Sequence, residues 1–119
     1  MGLGLAVALA GGLGTLARYG VHVFVVRRGD WPIPAGTFAV NMVGSLLLGY
    51  MLVRFTGHPW IRLVGGLGFL GGFTTFSTLA FELHTLAESR AYGLALAYAA
   101  GTIVAGLAAV YLGVLLARA

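Results

Sequence analysis

The chain has 119 residues, of which 60% are hydrophobic and only 8% are charged. Its mean hydropathy is +0.98. A soluble domain carries about 25% charged residues, so the composition excludes an ordinary soluble protein and indicates an integral protein of the lipid bilayer. The net charge of +4 comes from arginines scattered along a chain without lysine, which argues against nucleic-acid binding and is typical of the flanks of membrane helices. Because cysteine is absent, disulfides and thiolate metal sites are excluded.

Four hydrophobic segments follow one another along the chain. The predicted helices run from Leu3 to Val26, from Gly36 to Phe55, from Trp60 to Ser89 and from Tyr92 to Leu116. Because a spanning helix takes about 20 residues, we expect one all-α domain of four transmembrane helices over residues 1–119. The first segment lacks a positively charged start, so we expect a retained helix and not a signal peptide.

The third predicted helix is interrupted by polar and flexible residues. An unbroken helix of about 30 residues would be ~45 Å long, against a hydrocarbon core of ~30 Å. Residues 65–78 contain five glycines and four hydroxyl side chains, and unwound backbone is tolerated in a bilayer only where protein or water covers it. We therefore predict that this helix is broken near its middle, at Gly71 and Gly72, and that it exposes polar groups for a function.

The fourth predicted helix has a small residue at every fourth position, which lets helices approach closely in membranes. The stripe consists of Gly93, Ala97, Gly101, Ala105, Ala109 and Gly113, and the first helix has a shorter one in Gly4, Ala8 and Gly12. These stripes predict a tightly packed bundle with a protein interface.

The arginines do not favour one orientation in the membrane. With four helices both termini lie on one side, and each side then carries three arginines near helix ends: Arg54, Arg62 and Arg118 against Arg27, Arg28 and Arg90. The positive-inside rule gives no decision. A chain without a preference can insert both ways, so we predict an antiparallel, dual-topology dimer with a two-fold axis in the membrane plane.

Few side chains could carry chemistry, and no enzyme constellation is visible. Asn41 in the second helix could make an interhelical hydrogen bond or offer two N–H donors to an anion. Arg18 in the first helix could extend to the interface or hold a positive vestibule that attracts anions. For Glu82, we expect an arginine partner or a wet vestibule.

Three blocks of sequence resemble the small fluoride channels of the Fluc (CrcB) family. They are Gly-Gly-Leu-Gly-Thr-Leu-Ala-Arg-Tyr at 11–19, Gly-Thr-Phe-Ala-Val-Asn-Met-Val-Gly at 36–44, and Gly-Phe-Leu-Gly-Gly-Phe-Thr-Thr-Phe-Ser-Thr at 68–78. The resemblance implies a passive fluoride channel in the bacterial plasma (inner) membrane, built as a dual-topology antiparallel dimer. It also implies a structural sodium ion at the dimer centre, bound by the backbone carbonyls of Gly71 and Thr74.

The resemblance further implies a fluoride pathway. Phe76 matches a pore phenylalanine whose ring edge faces fluoride, and Asn41 matches the pore asparagine. Ser77 and Thr78 match hydroxyl positions along the path. Tyr98 is assigned to the tyrosine of the fourth helix by rough spacing.

Two positions depart from the family pattern. The second pore phenylalanine, three residues after the first, is Leu79 here, and the serine that often follows is Ala80. Either the pore has one ring per chain in a homodimer, or this chain forms a heterodimer with a paralogue.

Two other functions compete with the channel. A proton-coupled exporter of the small multidrug-resistance type also has four helices, but it needs a buried carboxylate in the first helix, where this chain has Arg18. A purely structural subunit would have no use for the polar break in the third helix. The sequence therefore favours the channel.

Overall fold

The computed structural model describes residues 2–119, which form helices and no strand. The elements are α1 (Gly2–Val26), α2 (Ala35–Arg54), α3 (Pro59–Ile61), a π-helix (Arg62–Leu70), α4 (Gly71–Phe73), α5 (Phe76–Glu88) and α6 (Tyr92–Arg118). The elements from α3 to α5 make one 30-residue span, so four segments are long and apolar enough to cross a membrane. The predicted all-α architecture of four transmembrane helices is confirmed, with each boundary within two residues.

The third span is broken between α4 and α5, as predicted, but not at the predicted residues. The chain is extended at Thr74 (φ −86°, ψ 160°) and Thr75 (φ −152°, ψ 119°). A break at Gly71 and Gly72 is wrong, because both residues are helical and begin α4. A Cβ atom added at Gly72 would overlap the carbonyl oxygen of Gly11 in α1. This glycine therefore serves a close helix contact and does not unwind the chain.

Glycines set the distance between α1 and the third span. A Cβ atom at Gly14 would overlap the carbonyl oxygen of Phe69, and one at Gly68 would lie 3.0 Å from backbone and side-chain atoms of α1. By contrast, Gly4 and Gly12 of the predicted stripe have open space beside them. The close contact of α1, made at Gly14, therefore lies on a different face of the helix from the predicted stripe.

The helices α2 and α6 pack against each other more extensively than any other pair. A Cβ atom at Gly49 would overlap the carbonyl oxygen of Val110, and one at Gly113 would overlap the backbone of α2. Gly93 and Gly101, which belong to the same predicted stripe as Gly113, face open space. Only the C-terminal part of the stripe therefore serves packing within the chain.

The buried core is small, and most of the apolar surface lies outside it. The core contains Val40, Leu70 and Phe73, whereas only 11% of the hydrophobic window of α1, and of α6, is buried. Phe76, at the start of α5, is 80% exposed. Exposed apolar surface of this extent needs cover from lipid or from another chain.

Candidate functional site

Two helix ends meet at the break in the third span. The first ends where both the amide and the hydroxyl of Thr74 donate to the carbonyl oxygen of Leu70, at 3.0 and 2.9 Å. The second begins at Thr75, whose hydroxyl oxygen accepts from the Thr78 amide at 3.3 Å as the N-cap of α5. A helix C-terminus presents carbonyl oxygens and a helix N-terminus presents amide donors. The break thus brings groups suited to a cation close to groups suited to an anion.

Asn41 holds the break in place from the neighbouring helix α2. Its Nδ2 donates to the carbonyl oxygen of Thr75 at 3.1 Å, and its Oδ1 accepts from the Thr75 amide at 2.8 Å. In an unbroken helix the Thr75 amide would donate to the carbonyl oxygen of Gly71, so Asn41 replaces that bond. Of the two roles considered for Asn41, the interhelical hydrogen bond is present, and one N–H of the carboxamide is left for another acceptor.

Three hydroxyl groups gather at the start of α5. The Thr75 hydroxyl donates to Oγ1 of Thr78 at 3.0 Å and lies 3.4 Å from Oγ of Ser77. Ser77 is exposed, Thr78 is half-buried and Thr75 is buried. The cluster therefore extends from the interior of the chain to its surface.

A cavity of about 950 Å³ lies between α2, the third span and α6, and we call it the interhelical cavity. Its walls are mostly apolar, and its polar lining residues include Asn41, Ser45, Arg62, Thr74, Thr75 and Thr102. Gly71, Phe76 and Leu79 line it as well. The cavity thus brings together Asn41, Phe76 and both residues assigned to sodium.

A second cavity of about 300 Å³ shares Thr75 with the first, and we call it the Arg18 cavity. It is lined by Thr15, Arg18, Tyr19, His22, Gly36, Thr37, Val40, Thr75 and Thr78. Arg18 thus lies in the same cavity as Thr78, one of the residues assigned to the fluoride pathway. Thr75 lines both cavities.

Glu82 is paired with hydroxyl groups. Its Oε1 accepts from the hydroxyl of Thr37, and its Oε2 accepts from the hydroxyl of Tyr98 at 3.0 Å. Of the two surroundings expected for Glu82, the arginine partner is wrong: among residues 2–119 the contact between a basic and an acidic side chain within 4 Å is the one between His84 and Glu88. Hydroxyl donors satisfy the carboxylate at membrane depth without placing a second charge there.

Tyr98 lines neither cavity but is connected to one of them. The ring is 2% exposed, and its hydroxyl reaches the carboxylate that also binds Thr37. Because Thr37 lines the Arg18 cavity, the Glu82 carboxylate links the hydroxyl of Tyr98 to a residue of that cavity. Rough spacing in α6 thus led to a residue in contact with the polar network.

Sequence reasoning missed several polar residues of the site. Thr37 and Thr75 lie inside the quoted sequence blocks, and a threonine hydroxyl in an otherwise apolar segment was the available signal. Thr102 in α6 lines the interhelical cavity, and its buried Oγ1 has no hydrogen-bond partner. A lone threonine in an apolar helix is ordinary, so the sequence carried no specific signal for this one.

The arrangement is suited to binding a small anion in a largely apolar setting. Hydroxyl and carboxamide donors line the two cavities beside an arginine, and such donors replace the hydration shell of an anion. The exposed ring of Phe76 adds an electropositive edge. The fold and the site together define a multi-pass membrane protein with two cavities, largely apolar but carrying polar donors, that meet at a broken helix.

Comparison with known proteins identifies the family. Residues 5–114 match the model of the family described as CrcB-like protein, Camphor Resistance (CrcB). The chain belongs to the CrcB family.

Three similar proteins carry the name fluoride-specific ion channel FluC. The protein from Nocardia farcinica, named FluC 2, is 45% identical, with 96% of this chain and 84% of the relative aligned. The protein from Novosphingobium aromaticivorans is 42% identical over 94% of this chain and 93% of its own length. The protein from Caulobacter vibrioides is 41% identical over 96% and 94%.

Proposed function

We propose that this chain forms a fluoride-selective channel that lets fluoride leave the cell passively and so relieves fluoride toxicity. The names of the aligned relatives support the substrate. The observation that carries the proposal is the break at Thr74 and Thr75, where hydroxyl donors and the Asn41 carboxamide meet at the depth of a membrane. The function is transport and not catalysis.

Fluoride is small and strongly hydrated, so a pathway must supply hydrogen-bond donors in place of water. The donors in this proposal are the side chains of Asn41, Ser77 and Thr78, and the ring edge of Phe76 adds a weaker contact. Tyr98 belongs to the pathway through its hydrogen bond to Glu82. Arg18 attracts the anion into its cavity from the membrane surface. The Thr75 hydroxyl, which donates to Thr78 and lies 3.4 Å from the Ser77 hydroxyl, supports a polar connection between these two donors.

A structural sodium ion is part of the proposal. Sodium is a hard cation that prefers oxygen ligands, including backbone carbonyls. The carbonyl of Gly71 has lost its helical donor, because the Thr75 amide donates to Asn41 instead. The extended ψ of Thr74 turns its carbonyl out of the helix. Both residues line the interhelical cavity, which supports a cation site formed by these two carbonyls.

The channel is proposed to be an antiparallel, dual-topology homodimer in the bacterial plasma membrane. The 80% exposure of Phe76 and the large cavity beside it support a second chain on this face. A heterodimer with a paralogue is the alternative. It arises because Leu79, 9% exposed and part of the cavity wall, stands where the family commonly has a second phenylalanine.

The proposal is tested in bacterial cells that lack their own fluoride export. Expression of this chain is expected to restore growth in fluoride and to lower the fluoride content of the cells. The matched control is Asn41→Asp, which is expressed in the same way but puts a negative charge beside the break. Growth that stays as sensitive with the wild-type chain as without it would contradict the proposed function.

A further inference from the structure

The Arg18 cavity contains a histidine that the proposed pathway does not use. His22 lies on α1 one helical turn after Arg18, on the same face of the helix, and it lines the same cavity. It is exposed and lies four residues before the end of α1 at Val26. An anion that enters from this end of α1 therefore meets His22 before it reaches Arg18.

The position of His22 is set by the neighbouring helix. A Cβ atom added at Gly36, in the first turn of α2, would lie 2.7 Å from Nδ1 of His22 and 3.3 Å from its Cα. Any other residue at 36 would push the imidazole away from α2. The glycine thus leaves room for the ring at the wall of the cavity.

The charged and titratable groups around His22 come from two elements, α1 and α5. On α1 they are Arg18 and Tyr19, which line the same cavity. The residues of α2 that line it carry no charge. On α5 the charged group is Glu82, which accepts from Thr37 behind the cavity wall. Arg18 is therefore the one permanently charged group among the residues that line this cavity.

We propose that His22 is a second, titratable cationic group of the Arg18 cavity and that its protonation speeds the entry of fluoride. The inference rests on the proposed channel function. Histidine is the side chain whose charge ordinarily changes between pH 5 and 8. A positive charge on a cavity wall raises the local concentration of anions. One unit charge about 5 Å from the anion in a wet cavity raises entry about two- to fourfold at low ionic strength.

The test is fluoride efflux from proteoliposomes at low fluoride concentration, where entry limits the rate. The pH is the same on both sides and is varied from 8 to 5.5, so the orientation of the chain does not matter. Leakage from protein-free vesicles is subtracted at each pH. The wild-type rate is expected to rise about two- to fourfold as the pH falls. A tenfold increase in an impermeant salt should reduce this rise, because it shortens the screening length about threefold.

Two substitutions at the same position separate charge from shape. His22→Gln is expected to give the rate of the wild-type protein at pH 8 throughout the range. His22→Arg is expected to give a rate at pH 8 near that of the wild-type protein at pH 5.5. The matched control is His58→Gln, the same exchange at a histidine that lines neither cavity, and it should keep the wild-type pH profile.

The outcomes distinguish this inference from the proposed function. Fluoride efflux that does not change with pH, or a pH dependence that persists in His22→Gln, overturns the role of His22 and leaves the channel standing. Absence of fluoride efflux at every pH overturns both.

Discussion

The exchange Asn41→Asp perturbs the break by one atom and one charge. In the wild-type protein the Thr75 amide donates to Oδ1 of Asn41 at 2.8 Å. The carboxylate of the variant can still accept this bond. The Nδ2 donor that serves the Thr75 carbonyl at 3.1 Å is replaced by a second acceptor. Loss of that bond and the unpaired carbonyl cost about 1–3 kcal/mol. We therefore expect a weaker but still folded protein.

The added charge has a larger effect on conduction than on folding. Two negative charges about 5 Å apart repel by about 3 kcal/mol at an effective dielectric constant of about 20. Since about 1.4 kcal/mol corresponds to a factor of ten, fluoride flux through Asn41→Asp should fall about 100-fold or more. Asn41→Ala is the control, because it removes both hydrogen bonds to Thr75 without adding a charge.

The assay combines fluoride efflux from proteoliposomes with size-exclusion chromatography and thermal unfolding in detergent. Asn41→Asp should elute at the wild-type position, unfold at a somewhat lower temperature and conduct almost no fluoride. Asn41→Ala should be the less stable of the two variants but retain more flux. Wild-type flux through Asn41→Asp would refute the placement of Asn41 in the pathway.

Three further predictions address packing, the polar network and topology. Gly72→Ala should lower the free energy of unfolding by about 1–3 kcal/mol, because the added methyl overlaps the carbonyl of Gly11. Gly12→Ala, which adds its methyl to open space, should leave the free energy of unfolding unchanged or raise it by up to about 1 kcal/mol, because alanine favours a helix over glycine, and equal effects of the two would refute this packing. Tyr98→Phe removes a charge-assisted hydrogen bond worth about 1.5–3 kcal/mol and should slow fluoride efflux about tenfold, whereas the same exchange at the exposed Tyr92 should not; equal rates would exclude the Tyr98 hydroxyl from the pathway. Tags on both termini should report both membrane orientations, and a single orientation would exclude an antiparallel homodimer.

The four spans could be predicted because hydrophobic length is a local property of the sequence. The site of the break could not be read in the same way. The sequence contains two features that unwind helices, a pair of glycines and a run of hydroxyl residues, and glycine's low helix propensity predicts a break at the pair. Their actual role depends on α1, since Gly72 lies against the carbonyl of Gly11. The chain opens at Thr74 and Thr75 because Asn41 supplies the bonds that the helix loses there.

The hydrogen-bond partners of Glu82 could not be predicted from the sequence either. An acidic residue at membrane depth suggested an arginine partner or a wet vestibule, since charges in membranes are commonly paired or hydrated. The donors are instead hydroxyls from two other helices, Thr37 in α2 and Tyr98 in α6. Such a network depends on how the helices are rotated against one another. Spacing along one helix placed Tyr98 near the site, but it could not place Thr37 or Thr102.

The most direct test of the channel is anion efflux from proteoliposomes that contain this chain as their only protein. Fluoride and chloride are measured with ion-selective electrodes under identical gradients. We expect rapid fluoride efflux and no chloride efflux above that of protein-free vesicles, which would also show that no paralogue is needed. Equal efflux of the two anions, or no efflux of fluoride, would contradict a fluoride-selective channel formed by this chain.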